Sequence, residues 1–97
     1  IQAYIDENYG DQSLCLSRIS DLFHISESYF SFLFKKTVGV NFSTYLEQVR
    51  MTQAKHLLET TNIKIADLYV AVGYNNLTSF RRAFKKKYGV APNAIRE

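Results

Sequence analysis

The chain repeats itself. Tyr29-Phe30-Ser31-Phe32-Leu33-Phe34-Lys35-Lys36 aligns with Ser79-Phe80-Arg81-Arg82-Ala83-Phe84-Lys85-Lys86 at an offset of 50 residues, and Gly39-Val40 aligns with Gly89-Val90 at the same offset. Upstream, Leu16, Ile19 and Phe23 align with Ile65, Leu68 and Val72 at an offset of 49. The one-residue difference falls in a joint, where a loop absorbs it. A chain of 97 residues that holds the same unit twice has room for the two units and a connector, and little more.

The periodicity of each stretch is helical. One Pro and four Gly leave few breaks, and no strand-like alternation exceeds four residues. Ile1, Tyr4, Ile5 and Tyr9 share one side of a first helix, with Asp6 and Glu7 opposite and Gly10 ending it. Leu16, Ile19, Leu22 and Phe23 mark a second helix of about eight residues. After the joint His24-Ile25-Ser26, Ser26 caps a third helix, with Glu27 in its first turn and Phe30, Leu33, Phe34 and Val38 facing inward up to Gly39. Asn41 or Ser43 opens a long fourth helix with Phe42, Tyr45, Leu46, Val49, Ala54, Leu57 and Leu58 as its apolar positions; about 18 residues make it roughly 27 Å long. Ile65, Leu68, Ala71 and Val72 give a fifth, ending at Gly73. Asn75 or Asn76 caps the sixth, which buries Phe80, Ala83, Phe84 and Tyr88 and stops at Gly89, and Pro92 starts a final turn. The expectation is an all-α fold of about seven helices: a first unit over residues 1–40, a connecting helix over 41–61 and a second unit over 62–97.

Charge is distributed unevenly. The formal net charge is only +3, yet Leu68 to Arg96 holds six Lys/Arg and no Asp/Glu, while the first eleven residues hold Asp6, Glu7 and Asp11 and no base. On the sixth helix Arg81, Arg82 and Lys85 point away from the apolar stripe, so its greasy side can be held while its other side offers cations to a polyanion. Each unit is thus a short helix, a tight turn and a longer helix with Phe-x-x-x-Phe-Lys-Lys. That is the helix-turn-helix pattern, whose second helix can enter a DNA major groove. Successive major-groove faces on one side of B-DNA lie about 34 Å apart, a separation that a connector of roughly 27 Å and its flanking turns can set. The expected target is a duplex site of about 20 base pairs, bent if the two helices are not quite parallel. The alternative is a basic helical interaction module that docks an acidic protein without reading sequence; both would bind in a salt-dependent way.

These residues resemble the DNA-binding domain of the AraC/XylS family of bacterial transcription regulators. The resemblance covers essentially the whole chain. It rests on Ser28-Tyr29-Phe30-Ser31-x-Leu33-Phe34-Lys35-Lys36-x-x-Gly39, on Tyr45-Leu46-x-x-x-Arg50-x-x-x-Ala54-x-x-Leu57-Leu58, and on Val72-Gly73-Tyr74 followed by Phe80-x-Arg82-x-Phe84-Lys85-Lys86-x-x-Gly89-Val90-x-Pro92. The opening Ile-x-x-Tyr-Ile-x-Glu-Asn-Tyr is similar to the domain as it occurs at the C-terminus of two-component response regulators. The resemblance implies that recognition helices over about 27–38 and 76–88 read double-stranded DNA. Base contacts would come from Glu27, Ser28, Ser31 and Phe32 in the first unit and from Asn76, Thr78, Arg81 and Arg82 in the second. Lys35, Lys36, Lys85 and Lys86 would hold phosphates, as would Arg50, for which bracing the connector is the other reading. It further implies contact with RNA polymerase and a sensor or receiver domain ahead of Ile1. The absence of an initiating Met also reads as a fragment of a longer protein.

Four residues depart from the family pattern. Phe32 stands where Arg is usual, and could touch a thymine methyl or simply pack. His24 stands where Gly is usual, so the first joint is expected to bend differently. Tyr69 replaces a small residue and is expected to widen its crossing, and Ile95 replaces an aromatic. Neither metal nor cofactor is expected: His24 and His56 lack partners at ligand spacing, Cys15 is isolated, and there is no Gly-rich phosphate loop. Helices of this total length leave little room for a catalytic pocket, so the chain reads as a non-enzyme. No apolar run nears the roughly 20 residues that span a bilayer, and no signal-peptide pattern is present. A lone cysteine suits a reducing compartment, and the cytoplasm is the expected location.

Overall fold

The computed structural model describes residues 2–96; Ile1 lies outside the described residues. Within them the chain is all helix and loop, in the order α1 (Gln2–Asn8), α2 (Leu16–Leu22), α3 (Glu27–Val38), α4 (Phe42–Thr60), α5 (Ile65–Ala71), α6 (Leu77–Tyr88) and α7 (Pro92–Arg96). The body is elongated, 44 × 22 × 21 Å, because it is built around two cores rather than one. Ile5, Leu14, Ile19, Phe30 and Phe34 pack with Phe42 and Leu46 of α4. Leu68, Val72, Phe80, Ala83 and Phe84 pack with Met51, Ala54 and Leu58 of the same helix.

The central helix therefore serves both cores, and it does so with different faces. At about 100° per residue, Phe42 and Leu46 lie near one azimuth and Met51, Ala54 and Leu58 lie roughly 130° further round. The apolar positions of α4 are two short stripes on two sides of one rod, not the single stripe that a simple amphipathic helix would show. Met51, absent from the expected apolar set, is fully buried in the second core. Of Asn41 and Ser43, Asn41 is the cap of α4, its side chain accepting from the Thr44 N–H at 2.8 Å.

The two helix-turn-helix units close in the same way. The Phe23 N–H donates to the Ile19 carbonyl and the Ile25 N–H to the Ser20 carbonyl; 49 residues on, the Val72 N–H donates to Leu68 and the Tyr74 N–H to Tyr69. The closing bond beside Tyr69 is 2.9 Å against 3.0 Å in the first unit, and the Tyr69 ring packs at the rim of the second core. His24 sits in a joint with the same hydrogen-bond pattern as its counterpart in the second unit. It adopts φ +57°, in the left-handed region that Gly73 occupies at +99° in the second unit. The local bonds of the turn and the packing of α2 on α3 hold His24 in that conformation against the usual cost of about 1–2 kcal/mol for a side-chain-bearing residue. Three large residues at expected inner positions lie further out than periodicity indicated; one is Leu33, which sits at the edge of the inward face of α3 and is 37% exposed. Leu22 is 49% and Phe23 42% exposed, because α2 ends there and Phe23 caps it, resting edge-on against Tyr4 instead of entering the core.

His24→Gly removes the left-handed penalty and gives back part of it as unfolded-state entropy. The variant is expected to gain about 0.5–1 kcal/mol, raising Tm by about 2–6 °C in a thermal melt.

Candidate nucleic-acid interface

The helices α3 and α6 are the same element built twice. Each has 12 residues, an N-cap side chain and a left-handed glycine at its end. Ser26 Oγ accepts from the Tyr29 N–H at 3.1 Å, and Asn76 Oδ1 accepts from the Ser79 N–H at 2.9 Å. Phe30 and Phe34 pack inward on α3, as Phe80 and Phe84 do on α6, with ring centroids 5.7 Å and 6.0 Å apart. Burying these phenylalanine pairs fixes the rotation of each helix, and with it the set of side chains turned outward.

On α6 that outward set is Thr78, Arg81, Arg82, Lys85 and Lys86, all exposed, with Asn76 at the N-terminal edge. On α3 the corresponding residues are Ser28, Phe32, Lys35 and Lys36, all exposed, with Ser31 half-buried. The lysines lie in the last turn of each helix, where the C-terminal partial charge favours cations. Phe32 belongs to neither core and is 64% exposed, at the position that Arg82 holds in the second unit. The Lys36 ammonium sits 5.7 Å from its ring centroid, a contact that braces the ring without covering it. An aromatic this exposed gains little as a packing residue.

Glu27 and Arg50 differ in what holds them. Glu27 is exposed in the first turn of α3, where a carboxylate favours the helix, at the position equivalent to Leu77 on α6. Arg50 is half-buried: Nε donates to the Tyr9 carbonyl at 2.9 Å and Nη2 to the Asp11 carbonyl at 3.0 Å. Burial pushes its pKa below the ordinary value, opposed by Tyr74 and Asp11. Of the two readings open for Arg50, the brace is the one for which the structure supplies contacts.

Lys87 completes the run of lysines in sequence but not in space. Its position at about 100° per residue lies on the buried side of α6, below Phe80 and Phe84. The ammonium turns to α4, 3.2 Å from Thr52 Oγ1 and 3.5 Å from the Gln48 carbonyl. The helical wheel alone separates Lys87 from Lys85 and Lys86. Sequence periodicity gave no sign, however, of what Gly10 and Gly73 do: each lies where the turn between α1 and α2 meets the second unit.

The arrangement is that of a helix-turn-helix DNA-binding domain. The model of the helix-turn-helix domain family matches residues 19–97, and the chain belongs to that family, within its AraC-type branch of transcription regulators. It is 37% identical over its whole length to the bifunctional transcriptional activator and DNA repair enzyme AdaA of Bacillus subtilis, of which it covers 46%. The C-terminal domain of the two-component response regulator YesN from Fusobacterium nucleatum superposes with a TM-score of 0.95 at 40% identity, covering 99% of this chain and 93% of that one. The C-terminal domain of AraT, a response regulator from Geobacillus stearothermophilus, superposes with a TM-score of 0.94 at 33% identity, covering 97% and 78%. The chain spans less than half the length of the curated relatives it matches. No helix among the described residues is long and apolar enough to cross a membrane.

Asn76→Ala leaves the Ser79 N–H without its partner and is expected to cost about 1 kcal/mol in a denaturant titration, whereas Asn76→Ser keeps a capping oxygen and stays within a few tenths.

Proposed function

We propose that this domain binds duplex DNA sequence-specifically by laying α3 and α6 in adjacent major grooves on one side of the helix, as the output end of a transcription regulator. The observation that carries the reading is the duplication of one 12-residue helix, each copy held by a buried phenylalanine pair and each turning a polar or cationic face outward. A body 44 Å long can hold two such helices about 34 Å apart. The units are taken as residues 1–40 and 62–97, with 41–61 between them.

In this reading Ser28, Ser31 and Phe32 face base edges from α3, and Asn76, Thr78, Arg81 and Arg82 from α6. Asn76 keeps its amide N–H₂ for the purpose, since its oxygen caps the helix. Lys35, Lys36, Lys85 and Lys86 hold phosphates and set register. Glu27, exposed in the first turn of α3, stays with the base-facing set of the first unit, and Arg50 braces the connector. The reading assigns the domain no catalytic step. Cytoplasmic location, a preceding sensor or receiver domain and contact with RNA polymerase belong to the same proposal, supported by the likeness to output domains of response regulators. Selection of bound sites from a random duplex pool, followed by footprinting, tests it. A shared motif and protection over about 20 base pairs on one DNA face are expected; equal binding to all duplexes would leave the acidic-protein docking module in its place.

On the selected site, Arg82→Ala is expected to cost about 1–3 kcal/mol and to relax preference at one base pair, while Lys86→Ala weakens all sequences alike and lowers the salt slope by about 1. Phe32 is expected to rest on a thymine methyl. Replacing the thymines of the first half-site one at a time by deoxyuridine, which lacks only that methyl, should weaken wild-type binding at one position and leave Phe32→Ala indifferent there.

A further inference from the structure

The two units meet on one side of α4, and the residue at that meeting is Arg50. Around α4, Arg50 lies between the azimuth of Phe42 and Leu46, which enter the first core, and that of Met51, Ala54 and Leu58, which enter the second. Its guanidinium spans two carbonyls of the turn between α1 and α2, at Tyr9 and Asp11. Its face lies over the Tyr74 ring, 5.6 Å from the centroid, at the end of the second unit's turn. Tyr9 itself packs against both cores.

The backbones at this junction are in close contact. A Cβ on Gly10 would stand 2.8 Å from the Ala71 carbonyl oxygen, and one on Gly73 would stand 2.5 Å from the Tyr9 carbonyl oxygen and 2.7 Å from Arg50 Nε. Gln12 adds a further tie, Nε2 donating to the Tyr74 carbonyl at 2.9 Å. The turn that carries these contacts is itself closed, Asp11 Oδ1 accepting from both the N–H and the hydroxyl of Ser13. A first-unit turn is thus fastened to α4 and to the second unit's turn at several points.

We infer that Arg50 is a positioning residue, clamping the α1–α2 turn against the α5–α6 turn so that α3 and α6 keep one relative orientation and accept one spacing between their half-sites. The inference rests on the two-helix reading above. Its physical content is rigidity. Without the clamp each unit still has its own core and its own outward face, but the pair can pivot about α4. A rigid bivalent reader loses simultaneous engagement when the second site is displaced, and a jointed one recovers part of it. One inserted base pair moves the second half-site by about 3.4 Å and turns it by about 35°.

The test measures binding of the wild type, Arg50→Lys, Arg50→Ala and Gln12→Ala to the selected site with zero, one or two base pairs added or removed between its halves, and to duplexes with one half scrambled. Lysine keeps the charge but offers one compact ammonium where the guanidinium forks to two carbonyls. The wild type is expected to lose about tenfold or more per misplaced base pair. Arg50→Ala and Arg50→Lys should compress that loss to within about threefold, while affinity for a single half stays within about twofold of wild type. Gln12 is exposed, so Gln12→Ala folds even if the Arg50 variants do not, and it should compress the spacing preference in the same direction by a smaller factor. An unchanged spacing preference in whichever of these variants fold, even with a lowered Tm, would make the contacts merely stabilising and overturn the inference. So would loss of single-half affinity. A wild type indifferent to spacing would instead defeat the two-helix reading itself.

Discussion

One helix buried from two sides is the constraint on which this molecule depends. Units of about 40 residues bury too little apolar surface to be stable alone. Here each unit borrows part of α4 as a wall of its core: Phe42 and Leu46 for the first, Met51, Ala54 and Leu58 for the second. The loan ties their fates together. Unfolding either unit strips one face of α4, and a substitution that breaks α4 in the middle removes support from both. The cooperation costs α4 the ordinary appearance of an amphipathic helix, since its two apolar faces leave one narrow polar strip, which carries Arg50, and one broad one, which carries Gln48 and Thr52.

Those strips are where the cations of this region work as ties. Arg50 leaves α4 on one side to hold the α1–α2 turn, and Lys87 comes from α6 to meet Thr52 and Gln48 of α4. Two of the chain's twelve Lys/Arg are thereby committed inward. What remains outward is unequal between the units: Arg81, Arg82, Lys85 and Lys86 on α6, against Lys35 and Lys36 on α3, whose arginine position is Phe32. Long-range attraction to a polyanion therefore concentrates at the second unit. The first unit contributes hydroxyls and an aromatic face, whose interactions act at contact and are weakly affected by salt.

Much of this was legible in the sequence, because the repeat carries its own proof: caps, phenylalanine pairs and terminal glycines recur at fixed offsets, and all reappear in α3 and α6. The outward residues of α6 followed from helical geometry alone. What periodicity could not show was relation between units. Met51 was missed although Ala54 and Leu58, which share its side of α4, were in the expected set; the second core they form with it is visible only once the second unit is in place. Gly10 and Gly73 read as helix stops. They are also points of contact between backbones far apart in sequence, which no local pattern encodes.

The two turns show how one sequence difference between the copies follows from their surroundings. Both require a left-handed residue, His24 at φ +57° and Gly73 at +99°. At His24 the side chain projects into solvent, and only the dihedral penalty opposes it. At Gly73 a side chain would also drive into the Tyr9 carbonyl and the Arg50 guanidinium. The first turn is free to carry a histidine because the side chain there is exposed. The second must be glycine because the other unit lies against it. The unequal demands on these equivalent positions arise from the junction itself: the copy that loses its Cβ is the one whose turn the neighbouring unit touches.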